Sequence, residues 1–373
     1  MKFKVAKSAF QDALQSAISA IPNKSTLQIL NNFAFRLEGS LLEVTATDLD
    51  LGIRVKVEVE GERDGAVVVN ARKLFDLIKN LVSPSISTID FEVQDYLTTI
   101  RWSEHGKANI TGFDASDFPP FPELEDAENL VVSGTELAFL ADKTLFAVST
   151  DTTRLTLNGV FLESNEKGIS IVSTDGHRLG KANLEQENPT SIKNGVIVPP
   201  KAIQHVLRSV SNDSNIEVSV SDSYIMFNSD SIQVISKLIE GPYPKYENVI
   251  PKNFERVIQA NTLELLNKIR SVMPMANPRT RLIRFQVDGN TLDLSASDSN
   301  IGGDSFESLA VNHEGEGSFS IGFNGQFISE ILSMCKTEEV LLKMNNPVGA
   351  CIVEPIGEGL NFFFLLMPLR LIE

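Results

Sequence analysis

Residues 173–180 read STDGHRLG, which sets Asp175 two positions from His177. A carboxylate beside an imidazole can hold the ring in one tautomer while the ring takes a proton, so the pair has the make-up of a general base and its orienting acid. Such a pair also needs a nucleophile or a metal placed by the fold. The chain has four histidines (His105, His177, His205, His313), in no HExxH or similar ligand spacing, and its two cysteines, Cys335 and Cys351, lack the paired spacing of a zinc site. The DGHRLG and SNIGGD stretches lack the lysine and the strand-to-helix setting of a phosphate loop. No catalytic residue, metal or cofactor is therefore expected, and Asp175 itself reads as a strand-ending turn.

The elements around that turn recur. LEVTATDLDLG (42–52), ISIVSTDGHRLG (169–180) and LDLSASDSNIGG (292–303) each read as an alternating strand ending in Thr/Ser-Asp, with Asp48, Asp175 and Asp298 about 125 residues apart. That period is a domain, not a solenoid unit. Before each aspartate comes another strand, NNFAFRLEG, NGVFLESNEKG or RLIRFQVDG, whose glycine supplies the turn. Before that comes an amphipathic helix, in AKSAFQDALQSAISAI, SGTELAFLADKTLFAVS and NTLELLNKIRSVM. Further on, a strand gives way to a second helix in VVVNARKLFDLIKNL, VIVPPKAIQHVLRSV and SIGFNGQFISEILSMC.

Each unit thus predicts helix, two strands, an edge strand, helix and a closing antiparallel set, an α+β architecture of three similar domains. The Pro- and acid-rich stretches FPPFPELEDAEN and GPYPKYENVIPKN place the boundaries, giving domains 1–125, 126–252 and 253–373. Apolar positions persist between units while charged ones differ. His177 has no counterpart, since Asp50 and Asn300 stand in its place.

Composition excludes several classes. With 42% hydrophobic and 22% charged residues, the chain is that of a globular protein, not a disordered one. Two cysteines suit a reducing compartment and read as buried free thiols. The first residues follow a helical rhythm broken by Gln11, Asp12 and Gln15 rather than forming a signal-peptide core, and no apolar run has membrane-spanning length, so a soluble, cytoplasmic chain is expected. A net charge of −16 argues against indiscriminate coating of nucleic acid and confines any such contact to a local basic patch.

The three-unit layout, STDGHRL at 173–179, DFPPFP at 117–122, EGPYPKYENVIP and the terminal MPLRL at 367–371 together resemble the bacterial DNA polymerase III beta subunit family of sliding clamps. The resemblance covers the whole chain. It implies the DNA clamp fold, with antiparallel sheets outside and paired helices inside, closing as a head-to-tail homodimer ring around double-stranded DNA of any sequence. It also implies a non-catalytic processivity factor in replication and repair that tethers the replicative polymerase. Its partners would be the DNA polymerase III alpha subunit, clamp loader subunits, other polymerases and repair proteins, all docking through short linear motifs, with no membrane.

By the same resemblance, a hydrophobic peptide cleft would comprise Leu157, Thr174, Gly176, His177, Arg178, Leu179, Pro244, Val249, Val348, Met367, Pro368, Leu369 and Arg370. Leu157, Leu179, Val249 and Leu369 would give apolar walls, Met367 would adapt to different side chains, and Arg178 or Arg370 would anchor a polar group. Ile372 and Glu373 extend beyond the leucine where the family's best-known tail stops. DNA-proximal residues would be Lys24, Arg72, Lys73, Arg154, Lys201 and Arg279. At the dimer contact, the strand around Lys107 to Gly112 would pair with that around Gly302 to Leu309, and Ile110 would pack on Val272 or Met273.

The helices RKLFDLIKN, PPKAIQHVLRS and NTLELLNKIR are basic in an acidic chain. Complementing the helix dipole accounts for this as well as a DNA-facing role does, until the resemblance favours DNA. Two rivals remain at this point: an enzyme using Asp175 and His177, and a monomeric three-domain scaffold that binds no DNA.

Overall fold

The computed structural model of the chain describes residues 1–186, 192, 194–298 and 302–371. Its helices are α1 (Lys7–Ala17), α2 (Ala71–Lys79), α3 (Gly134–Thr144), α4 (Pro200–Ser209), α5 (Thr262–Val272) and α6 (Gly325–Cys335), set among four antiparallel sheets of the described residues. Each repeat carries its two helices where the apolar spacing puts them. Asparagines start α2, α5 and α6, the side chains of Asn70, Asn261 and Asn324 accepting backbone N–H groups of the first turn. At α3, Ser133 and Glu136 exchange hydrogen bonds as a capping box, at 2.7 and 3.1 Å.

Each repeat also opens on a strand that the helical pattern hides: Lys2–Ala6, Glu128–Ser133 or Arg256–Asn261. These strands are five or six residues long and run into a helix, so their alternation is too short to stand out beside the longer period. Phe3 on the first of them stacks on Phe91 at 4.8 Å between ring centroids, and Phe10 from α1 meets Phe91 edge-on at 6.1 Å. All three rings are buried. Burying each contributes roughly 2–3 kcal/mol, which secures the helix to its sheet.

The chain forms two compact units, the first gathering Met1–Ala138 with Val198–Leu238 and the second most of the remainder. In the first unit an eight-stranded sheet runs from Glu128–Ser133 to Gly65–Asn70, and a five-stranded sheet ends at Lys107–Thr111. In the second, a nine-stranded sheet contains Arg178–Glu185, Phe362–Leu366 and Cys351–Pro355 side by side, and a four-stranded sheet ends at Gly303–Ala310.

The strand after each turn aspartate is expected at an edge, and only the third one is. Leu51–Glu58 pairs with Ile232–Lys237, and Arg178–Glu185 pairs with Phe362–Leu366, so both are interior. Gly303–Ala310 alone lies outermost. The other two are covered by strands far along the chain, and no local pattern encodes such a pairing.

Candidate functional site

Asp175 closes the turn between Gly168–Thr174 and Arg178–Glu185. Its Oδ1 accepts the backbone N–H groups of His177 at 2.8 Å and Arg178 at 3.0 Å, and its Oδ2 accepts Arg178 Nε at 3.1 Å. Thr174 Oγ1 donates to the Arg178 carbonyl at 2.6 Å and accepts the Gly176 N–H at 3.0 Å. The carboxylate therefore holds main chain, not the imidazole. The His177 ring instead faces Phe327 of α6, with centroids 6.5 Å apart and planes 29° apart.

The first repeat builds the same turn. Asp48 Oδ1 accepts the N–H groups of Asp50 and Leu51 at 3.1 and 2.7 Å, and Thr47 Oγ1 donates to the Leu51 carbonyl at 2.9 Å. The residue after each aspartate is left-handed, Leu49 at φ 79° and Gly176 at φ 91°. Gly176 takes that conformation without the side-chain penalty that Leu49 bears. In the third repeat Asp298 is buried and accepts Asn277 Nδ2 at 3.3 Å, while Asn300 lies outside the described residues. A turn repeated where no histidine stands is a folding device, so the Asp175–His177 pair is not a general-base dyad.

The chain end docks beside this turn. Phe362–Leu366 pairs with Arg178–Glu185, the Met367 N–H then donates to the His177 carbonyl at 2.8 Å, and the Leu369 N–H donates to the Gly322 carbonyl at 2.8 Å. Gly322 permits that approach, because a side chain there would meet the Leu369 carbonyl oxygen at 2.8 Å. Pro368 cannot donate, and the ladder stops there. Beneath lies a core of Val172, Leu179, Tyr246, Ala350, Ile352 and Leu365, with Met367 packed against it. Burial raises the Tyr246 phenol well above its ordinary range, and its hydroxyl donates to Glu163 Oε1 at 2.6 Å. That bond from a neutral phenol fixes the segment that carries Pro244 and Val249.

Not every expected cleft residue offers surface. Leu179 and Leu157 are core residues, whereas Val249 is 52% and Val348 64% exposed. Pro244, Gly176, His177 and Arg370 offer surface as well, and Thr174, Met367, Pro368 and Leu369 are half-buried. Arg178 is not free to anchor a ligand. Its guanidinium bonds Asp175 and Glu330 and lies 4.4 Å from the Phe327 ring centroid and 5.2 Å from that of Phe146. Arg370 has no ion-pair partner among the described residues, which leaves it as the available cation. Ile372 and Glu373 lie outside the described residues. Phe327 and Glu330 are site residues that the sequence does not reveal, because nothing local ties α6 to residues some 150 positions earlier.

The basic residues fall on exposed positions of both units. In the first, Arg72 and Lys73 stand on α2, Lys201 on α4, and Arg72 Nη2 reaches Pro22 O at 3.3 Å and Asn23 Oδ1 at 3.2 Å, holding the segment that carries Lys24. In the second, Arg279 is exposed. Arg154 is tied into the Asp175 turn, donating to the Asp175 carbonyl at 3.0 Å and to Asp151 at 3.3 Å. Lys268 of α5 bonds Glu307 and so is not a free cation.

Three family models match the chain in order, and together they describe the DNA polymerase III beta subunit: its N-terminal domain over residues 1–122, its central domain over 131–245 and its C-terminal domain over 247–370. The chain belongs to the DNA polymerase III beta subunit family. It is 28% identical to the beta sliding clamps of Pseudomonas aeruginosa and Synechocystis over the full length of each. Among solved structures, the P. aeruginosa sliding clamp bound to griselimycin matches with a TM-score of 0.93 at 27% identity, and the Bartonella birtlesii clamp, also bound to griselimycin, with 0.91 at 26%, each over all of both chains. The fold is thus the three-domain DNA clamp fold.

Beta subunits of this family are sliding clamps, non-catalytic members of the polymerase holoenzyme. In this clamp-family chain both thiols are buried, and burial pushes that of Cys335 up to about 12, so neither is a reactive nucleophile. Among the described residues no helix is long and apolar enough to cross a membrane, and no cluster of three ligating side chains could hold a metal. Of the residues expected at a contact between copies, Ile110 and Met273 are half-buried. Val272 is 1% exposed, so it belongs to the core and cannot receive Ile110 of another chain.

Proposed function

We propose that two copies of this sliding clamp close head to tail into a ring around double-stranded DNA and hold the replicative polymerase there through the cleft beside the docked tail. The domains would run 1–125, 126–252 and 253–373. The observation that carries the reading is the pair of main-chain bonds from Met367 and Leu369, which set the chain end beside the exposed Gly176–His177 turn. Val249 and Val348, apolar and open to solvent, supply surface that a short motif from a polymerase III alpha subunit, a clamp loader protein or a repair protein would cover. Such tethering raises effective concentration and needs no chemistry.

Lys24, Arg72, Lys73, Lys201 and Arg279, with Arg154 in its structural role, would stand nearest the DNA. A lining that slides must meet phosphates through mobile cations and water, without base readout, so direct affinity is weak and falls steeply with salt. The test is retention on nicked circular DNA after loading by an ATP-driven loader, at salt that screens phosphate contacts. Retention on circles and loss on linearisation are expected. Retention that ignores topology sinks the ring. A single-chain mass in solution would favour a monomeric scaffold instead.

A further inference from the structure

Two joints inside the chain follow one plan. The strand after the first turn aspartate, Leu51–Glu58, pairs with Ile232–Lys237 from the second repeat, and the strand after the second, Arg178–Glu185, pairs with Phe362–Leu366 from the third. Their registers agree. Gly52, four residues past Asp48, faces Ile235, and Leu179, four past Asp175, faces Leu365. The segments that link the repeats also match, FPPF at 118–121 and YPKY at 243–246, each an aromatic, a proline and a second aromatic at the same spacing.

The second aromatic of each linker closes on its joint. A side chain at Gly52 would meet Phe121 Cε2 at 3.1 Å and Ile235 Cγ2 at 2.9 Å, so the ring and Ile235 converge on the same bare backbone from two distant segments. At the other joint Tyr246, Leu179 and Leu365 belong to one buried core. The aromatic, the fourth residue past the aspartate and that residue's partner across the joint thus come together twice, as Phe121, Gly52 and Ile235 and as Tyr246, Leu179 and Leu365. Glycine at 52 lets a ring rest on main chain where Leu179 meets its ring with a side chain.

Two residues further along, each strand offers that aromatic a cation from the same face of the sheet. The Arg54 guanidinium lies 4.3 Å from the Phe121 ring centroid, and its Nη1 donates across the joint to Gln233 Oε1 at 3.5 Å. Lys181 Nζ donates to the Tyr246 hydroxyl at 2.9 Å, and that hydroxyl donates to Glu163 Oε1 at 2.6 Å. A planar guanidinium suits a ring face with no polar handle, and an ammonium, a point donor, suits a hydroxyl. Cation and ring change type together between the joints while the arrangement stays, which points to one task performed twice.

We propose that each linker is a latch: its second aromatic, seated on the cation and across the strand pair, holds the joint between two repeats shut, and lifting it lets that pair part while the rest of the fold stays intact. Strand pairs between repeats can open as local units below the global unfolding free energy, so a side chain placed over one of them controls that opening alone. The latch acts on joints within one chain and does not need two copies to associate. On the ring reading above, these joints would be the stiff ones, since no linker spans a contact between copies.

Hydrogen exchange of the full chain, read by mass spectrometry, tests this. Phe121→Ala should speed exchange in peptides covering Leu51–Glu58 and Ile232–Lys237 at least about tenfold, the factor that a half-buried ring and its cation contact supply, and leave Arg178–Glu185 and Phe362–Leu366 within about twofold of the parent. Arg54→Gln, which keeps the ring, should speed the same first-joint peptides about threefold. Tyr246→Phe, which keeps the buried core filled but drops the bonds to Lys181 and Glu163, should speed the second joint about threefold and spare the first. Gly52→Ala should speed the first joint too, by a smaller factor in the Phe121→Ala background, because part of its effect is to displace the ring. Equal acceleration at both joints in Phe121→Ala, or none at the first, overturns the latch.

Discussion

The backbone N–H of Met367 lies 2.8 Å from the carbonyl oxygen of His177, to which it donates a hydrogen bond. The bond joins the chain end to the exposed part of the Asp175 turn, so the tail and the turn form one surface. Removing everything after Leu366 should therefore cut binding of a labelled peptide, taken from the end of a polymerase III alpha chain, at least about tenfold. Met367 and Leu369 are half-buried at a chain end, so Tm should fall by only a few degrees. Fluorescence anisotropy and calorimetry on the same samples check both. Unchanged peptide affinity would place the cleft elsewhere.

The turn aspartates make a second test. Asp48 and Asp175 each accept two backbone N–H groups. Replacing either by Ala leaves those donors to water at a cost of about 1–2 kcal/mol. Asp48→Ala and Asp175→Ala should lower stability by amounts agreeing within about 1 kcal/mol in urea unfolding, Asp175 costing more for its added bond to Arg178. Were Asp175 present only for a reaction with His177, Asp175→Ala would leave stability unchanged while Asp48→Ala lowered it.

Arg178 is held by two carboxylates and two rings, with its side chain 12% exposed. Glu330→Gln removes one charge and should weaken peptide binding about threefold to tenfold with a loss of about 1–2 kcal/mol in stability, because a largely buried guanidinium loses a partner. Arg178→Lys should do no better, since an ammonium cannot reach both carboxylates while lying flat on Phe327. An Arg178→Lys variant with full affinity would show that charge alone suffices.

What the sequence reveals and what it hides divide along local and distant pairing. The Asp48 and Asp175 turns and the six helices are written in spacings of a few residues, and the chain shows them. The opening strand with Phe3 and Val5 is equally local but too short to compete with the helix beside it. Burial of Val272, where its neighbour Met273 stays half-exposed, depends on which side of α5 meets the strand of Ser305. The role of Glu330 depends on α6 meeting Arg178. Phe306 is visible as a letter, but its exposure follows from which strand ends a sheet, and that is settled by partners more than a hundred residues away in the other two repeats.

His205 sits buried on α4, and desolvation, then repulsion from Arg208 and Lys201, holds its pKa below the ordinary imidazole value. The folded state thus prefers the neutral ring, while the unfolded chain takes a proton near about pH 6.5. The stability this contributes is full above that value and is lost as pH falls through the folded pKa. Tm should drop on going from about pH 7 to about pH 5, and His205→Leu should flatten that slope. Parallel curves for the two proteins would assign the drop to other groups.

The exposed cations make the last test. Lys201 on α4 and Lys73 on α2 carry no ion pair among the described residues, whereas Arg154 is bound into a turn. If the first two meet phosphates, each alanine variant should lower the log–log salt slope of DNA affinity by about 1 and leave Tm unchanged. Arg154→Ala should do the reverse in part, lowering Tm because the Asp175 carbonyl loses its donor, whatever it does to the slope. Titrations of a fluorescent duplex at several salt concentrations separate the outcomes. Equal slopes for the parent and both lysine variants would remove α2 and α4 from the DNA-facing surface, and with them the argument that a chain of net charge −16 concentrates its free cations where the duplex passes.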